Sequence, residues 1–190
     1  MRNLWSVLAA AAIAATLVAA LPAHAASGSG APPAKAPAAK PPVPPAVGSR
    51  FPDFTLPGVD GKPVSLSDFK GKAIMLSFWS CYTDTCFTSV RVMEELLKEH
   101  SASGLVAPTV CVEVPPALAN DRYAGLLEKC GTGQIVLIDK EMAVAKKLGI
   151  TEFPTTYLID RDYAVWQAIT GVRPLMTEDF RVLVKSLVSD

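Results

Sequence analysis

Histidine is nearly missing from this chain, with only His24 and His100 among 190 residues. Soft thiolates could hold a metal such as Cu(I), but so small a histidine supply offers no further ligand beside them. No metal site and no cofactor is therefore expected. Excess charge of either sign is missing as well: 18 Lys and Arg balance 18 Asp and Glu, for a formal net charge of zero. A nucleic-acid partner needs a basic surface, and no basic run occurs anywhere beyond the N-terminal segment. Internal repeats are absent. The length suits one domain with accessory sequence.

What is present begins with an export signal. Arg2 supplies a positive start, Leu4 to Leu21 an apolar stretch, and Ala23-His24-Ala25 a small-x-small processing site. Residues 1–25 are expected to be a signal peptide cleaved after Ala25, with no membrane insertion thereafter. The alternative is an uncleaved anchor, because the apolar stretch reaches the low end of the roughly 17–25 residues that span a bilayer. No cysteine stands at the processing site, which argues against lipid attachment. Either way the domain is expected in the periplasm or outside the cell, where the four cysteines are disulfide candidates before they are metal ligands.

Residues 26–47 are almost entirely Ala, Pro, Gly, Ser and Lys, with Pro32-Pro33, Pro41-Pro42 and Pro44-Pro45 favouring extended polyproline conformation. They read as a spacer. The folded domain is expected over 48–190. Phe54-Thr55-Leu56 and Pro63-Val64-Ser65-Leu66 flank Asp60-Gly61, a hairpin signal. Ala73 to Trp79 and Leu105 to Val112 read as buried strands, and Gln134 to Asp139 as a third of parallel type. Helices are predicted over Thr85–His100, around Asn120–Lys129, and over Glu141–Leu148 with Gly149 at its cap. Thr155 to Ile159 and Val165 to Ile169 flank a turn at Asp160-Arg161-Asp162, and Thr177 caps a last amphipathic helix. Alternating strands and helices ending in a hairpin and a helix predict a three-layer α/β domain with an N-terminal β-hairpin extension.

Several stretches together resemble the TlpA/ResA-type periplasmic thioredoxins: Phe51-Pro52-Asp53-Phe54-Thr55-Leu56, Asp60-Gly61-Lys62, Leu66-Ser67-Asp68, Phe69-Lys70-Gly71-Lys72, Phe78-Trp79, and Phe153 to Asp160. The resemblance covers Phe51 to about Val188. It implies a thioredoxin fold: a central mixed sheet flanked by helices. It also implies that Phe153-Pro154 is a cis bond whose backbone edge faces the active-site loop and pairs with an extended substrate.

The loop itself departs from that family. Where the family reads Phe-Trp-Ala-Thr-Trp-Cys-Pro-Pro-Cys, this chain reads Phe78-Trp79-Ser80-Cys81-Tyr82-Thr83-Asp84-Thr85-Cys86. Thr83 takes the place of the attacking cysteine, Cys86 that of the resolving one, and Cys81 is extra. A hydroxyl is far too weak an acid to replace a thiolate, so ordinary dithiol exchange does not run through Thr83. Ser77 stands where thioredoxins keep a buried acid. Thr83-Asp84-Thr85-Cys86 is also similar to the Thr-x-x-Cys of peroxiredoxins, whose threonine hydroxyl bonds the thiolate and the peroxide. The peroxiredoxin arginine would fall about at Pro154, and Arg173 is the candidate substitute.

These readings leave Cys86, Cys81 and Thr83 as candidate catalytic residues and Trp79, Phe153, Pro154 and Arg173 as candidate substrate-binding residues. The expected partners are protein thiols and disulfides or extended peptide segments. Two alternatives stay open. One is a redox-inactive peptide- or protein-binding module in which Cys86 is a buried, inert residue; the other is a weak thiol peroxidase. Cys111 reads as core within its strand, with a bridge to Cys130 a further possibility.

Overall fold

The computed structural model describes residues 42–80, 82–112 and 134–189. The predicted helix around Asn120–Lys129, together with Cys81 and Cys130, lies outside the described residues, as do the expected signal peptide and most of the expected spacer. The fold is built around β3 (Ala73–Ser80), in which every residue is buried. An unbroken buried run of this kind belongs to a strand covered on both faces.

Beside β3 lie β4 (Leu105–Val106) and β5 (Thr109–Val112), both parallel to it, and β6 (Val136–Asp139) runs parallel to β5. On the other side β7 (Thr155–Ile159) is antiparallel to β3, and β8 (Val165–Thr170) is antiparallel to β7. The order is β6-β5-β3-β7-β8, with β4 also beside β3. The single strand expected over Leu105–Val112 is thus two pieces, interrupted at Ala107-Pro108. Proline has no N–H to give a ladder; its carbonyl instead accepts from the Ser77 N–H at 3.3 Å.

Side chains alternate along β3. Ala73 and Met75 pack under α1 (Asp84–His100) and α3 (Glu178–Ser189) with Met93, Leu96, Phe180, Val184 and Leu187. Ile74, Leu76 and Phe78 face the opposite way, onto Phe51, Phe54, Tyr157 and, from the short α2 (Ala143–Lys147), Ala145. Helices on both faces of a mixed sheet complete the three layers. The extension is present too: β1 (Thr55–Pro57) and β2 (Pro63–Ser65) form an antiparallel pair around Asp60-Gly61. Gly61 has φ 78°, a conformation the turn requires and glycine adopts freely. The last helix starts as expected, with Phe180 N–H donating to Thr177 Oγ1 at 3.3 Å.

The helix expected over Glu141–Leu148 is shorter. Glu141 and Met142 adopt left-handed backbone angles, φ 58° and 56°, and regular helix begins only at Ala143. The cause is Asp139. Fully buried at the end of β6, its carboxylate accepts the N–H groups of Val144 at 3.0 Å and Ala145 at 2.8 Å, fixing the helix start there. Asp139→Ala leaves both donors unpaired in a buried setting and is expected to cost about 3 kcal/mol, read by urea denaturation. A loss under about 0.5 kcal/mol, the level of an ordinary surface change, contradicts this account.

Two tyrosines bear on alkaline stability. Burial pushes the Tyr157 hydroxyl above its ordinary range. Burial, with the Asp53 carboxylate nearby, does the same for Tyr163, whose hydroxyl donates to the Leu66 carbonyl at 3.2 Å. A raised folded-state pKa leaves stability intact below the unfolded value of about 10 and removes it as pH climbs through the folded value. Melting temperature should therefore be flat from pH 8 to pH 9.5 as far as these groups are concerned and fall above about pH 10. Tyr163→Phe together with Tyr157→Phe should flatten that fall.

Candidate functional site

The C-terminal end of β3 feeds α1. Thr83 is the residue before the helix, with extended angles of φ −122° and ψ 135°, and Asp84 opens the first turn. Thr83 is exposed, and its side chain makes no capping hydrogen bond. Its carbonyl accepts the Cys86 N–H at 3.1 Å, which places Cys86 within the first turn.

Cys86 is a free thiol, 1% exposed. It faces the sheet, packed with Trp79, Val90, Cys111, Val136 and Ile138, with Phe87 and Phe153 against the same cluster. Trp79 is completely buried, and its ring meets Phe87 edge-on at 5.6 Å. Trp79 therefore supports the site from beneath rather than presenting a surface. Cys111 is buried core, as its strand position suggests.

The opposite wall comes from β7. Thr155 pairs with Phe78 and Thr156 with Ser77, so one step further along the register Pro154 lies beside Trp79. The Phe153-Pro154 peptide is cis. The Pro154 carbonyl accepts the Gly171 N–H at 2.8 Å, tying the loop that carries Arg173 to this wall. The Arg173 side chain is exposed and makes no hydrogen bond or ion pair among the described residues. Ser77 is buried and accepts from Thr156 Oγ1 at 3.0 Å. On the outer face of the same turns of α1 is a cleft of about 460 Å³ bordered by Asp84, Phe87, Thr88 and Arg91.

The structure thus gathers Cys86, Trp79, Phe153 and Pro154 in one place, with Thr83 at its rim, and sets Arg173 on the adjoining loop. Phe87 and Cys111 join them unforeseen. Phe87 follows the candidate cysteine in the helix and carried no motif; Cys111 signalled only a buried strand. Among the described residues no group of three or more His, Cys, Asp or Glu side chains is placed to hold a metal ion. No helix among them is long and apolar enough to cross a membrane.

A mixed five-strand path flanked by helices, with a cysteine in the first turn after the central strand and a cis-proline opposite, defines a thioredoxin-like protein. Residues 47–168 match the AhpC/TSA family, and the chain belongs to it. A thiol-disulfide oxidoreductase ResA from Geobacillus thermodenitrificans is 32% identical over 142 residues, 75% of this chain and 78% of the relative. Among solved structures, one assigned as a thiol:disulfide interchange protein DsbE from Chlorobium tepidum superposes with a TM-score of 0.67 at 26% identity, covering 76% of this chain and 99% of that one. The pneumococcal exposed lipoprotein thioredoxin Etrx1 from Streptococcus pneumoniae gives 0.56 at 27% identity, covering 72% and 100%.

Proposed function

We propose that this chain is an exported thiol-based redoxin acting through Cys86 on protein thiols and disulfides, and not an ordinary two-cysteine disulfide reductase. The observation that carries this reading is the placement of Cys86: first turn of α1, packed on Trp79, with the cis-Pro154 wall alongside. Membership in a redoxin family and likeness to proteins named as thiol-disulfide oxidoreductases support the same class. Cys81, five positions before Cys86 in the sequence, is the second thiol of the proposal.

The chemistry starts from Cys86 as its thiolate, the reactive form of any cysteine nucleophile. Attack on a partner disulfide gives a mixed disulfide and releases the partner's second thiol; attack of the Cys81 thiolate on that bond then releases the first and leaves a Cys81–Cys86 bridge. Export rests on Arg2, the apolar stretch and Ala23-His24-Ala25. The domain would then work in the periplasm or outside the cell, with the proline-rich residues as its spacer.

Mass spectrometry of the exported protein tests this directly. After gentle oxidation and alkylation, Cys86 should be found bridged to Cys81, and Cys86→Ser should abolish the modification and any turnover. Finding both thiols free at a mildly oxidising poise would remove the pair as the redox centre.

A further inference from the structure

Beneath Cys86 the sheet carries a polar seam. Register aligns Thr156 of β7, Ser77 of β3 and Thr109 of β5 in one row, and all three are completely buried. Alternation along the strands sets Ser77 on the same face as Trp79, and Thr109 on the same face as Cys111, so the row lies under α1. The helix contributes Ser89, also completely buried, whose hydroxyl donates to the Cys86 carbonyl at 2.6 Å. Gln134, 8% exposed, reaches the helix from the foot of β6, its Nε2 donating to the Val90 carbonyl at 2.7 Å.

Three buried polar atoms on this face of the sheet have no hydrogen-bond partner among the described residues: Thr109 Oγ1 and Gln134 Oε1 of the seam, and Nε1 of Trp79, two residues along β3 from Ser77. Buried polar groups are seldom left so, because an unmade hydrogen bond costs the full desolvation of the group. Their chemistry is complementary to water: the indole only donates, the amide oxygen only accepts, and the hydroxyl does both. Ser77, which accepts from Thr156 at 3.0 Å, keeps its own hydroxyl proton for a further bond. Buried waters of ordinary proteins make about three such bonds.

We infer that the seam is a buried water site, in which water accepts from the Trp79 indole, donates to Gln134 Oε1 and bonds the Thr109 hydroxyl. The ligand is water held inside the domain, against the cluster in which Cys86 packs.

The full chain is examined by NMR for cross-peaks between water and the Trp79 indole N–H, assigned by its loss in Trp79→Phe, and the same measurement is made on Thr109→Val. A bound water gives a cross-peak characteristic of long residence in the wild type. Thr109→Val, which keeps shape and removes the hydroxyl, should weaken it and lower the melting temperature by roughly 4 °C. A dry seam predicts the reverse: no cross-peak, and a Thr109→Val melting temperature that is unchanged or higher because an unpaired hydroxyl has gone. That result overturns the inference. Should Thr109→Val fail to fold, Gln134→Leu is read the same way. A Cys86 that is unreactive at every pH defeats the functional reading, while the cross-peak and melting temperature still decide the water site.

Discussion

Changing Thr83 to Cys together with Cys81 to Ser should turn this protein into an efficient reductant of insulin disulfides, while the unaltered chain stays near the background set by excess dithiothreitol. The expected gain is on the order of 100-fold, since thiolate attack is introduced where only a hydroxyl stood. The position is already prepared. Thr83 is exposed at the N-terminal end of a 17-residue helix, with extended backbone angles that cysteine adopts as readily as threonine. An anion there gains from the helix dipole by roughly 0.3–1 kcal/mol, and cysteines so placed have pKa values brought down from about 8.5 into the range of about 3.5–7.5. Cys86, three positions after Thr83, is then the buried thiol that resolves the mixed disulfide. The Cys81→Ser change removes the competing third thiol. An unaltered protein that reduces insulin as fast as an ordinary thioredoxin would mean that the loop is aligned wrongly and that Thr83 is not at the attacking position.

Much of this site was legible because its signals are local. The apolar run of β3, the strand from Thr155 to Ile159 ending at the Asp160-Arg161-Asp162 turn, and Thr177 before an amphipathic stripe each state their structure within a few residues, and the structure has them there. Phe153-Pro154 was placed by resemblance and not by physics, since nothing local distinguishes a cis from a trans bond before proline. The misses are of a different kind. Glu141 and Met142 read as helix because their propensity favours it, but the buried Asp139 carboxylate, whose reach to Val144 and Ala145 is a tertiary fact, moves the start. Tyr163 adopts φ 66° in the β7–β8 turn, where Asp160 Oδ1 takes the N–H groups of Asp162 at 2.9 Å and Ala164 at 2.8 Å. The Asp160-Arg161-Asp162 turn was visible; that it would force a tyrosine into the left-handed region was not. Thr109 and Gln134 were invisible as a pair, because only the β3–β5–β6 register and the reach of a side chain to Val90 bring them under one helix.

Trp79→Ala should have the largest effect on stability of any change at the site, about 3–5 kcal/mol, and should make Cys86 more reactive as it does so. Trp79 is the largest completely buried side chain among the described residues, and it packs in one cluster with Cys86, Val90, Cys111, Val136 and Ile138. Truncation removes its apolar area and its edge-on contact with Phe87, the latter worth roughly 0.5–1.5 kcal/mol. It also leaves a void between a helix and a sheet that neighbouring strands hold apart, so collapse onto it is limited. Against a typical domain stability of about 5–15 kcal/mol, this loss lowers the melting temperature by on the order of 10 °C or more. Trp79→Phe is the control, because it keeps a ring in that cluster and removes a buried indole N–H that has no protein partner among the described residues; its cost should be clearly smaller. Alkylation of Cys86 below the melting transition should run faster in Trp79→Ala than in either Trp79→Phe or the unaltered protein, since water and reagent gain a path from beneath the first turn of α1. If instead Trp79→Ala melts within a degree or two of the unaltered protein, Trp79 does not support the site, and Cys86 owes its burial to other contacts.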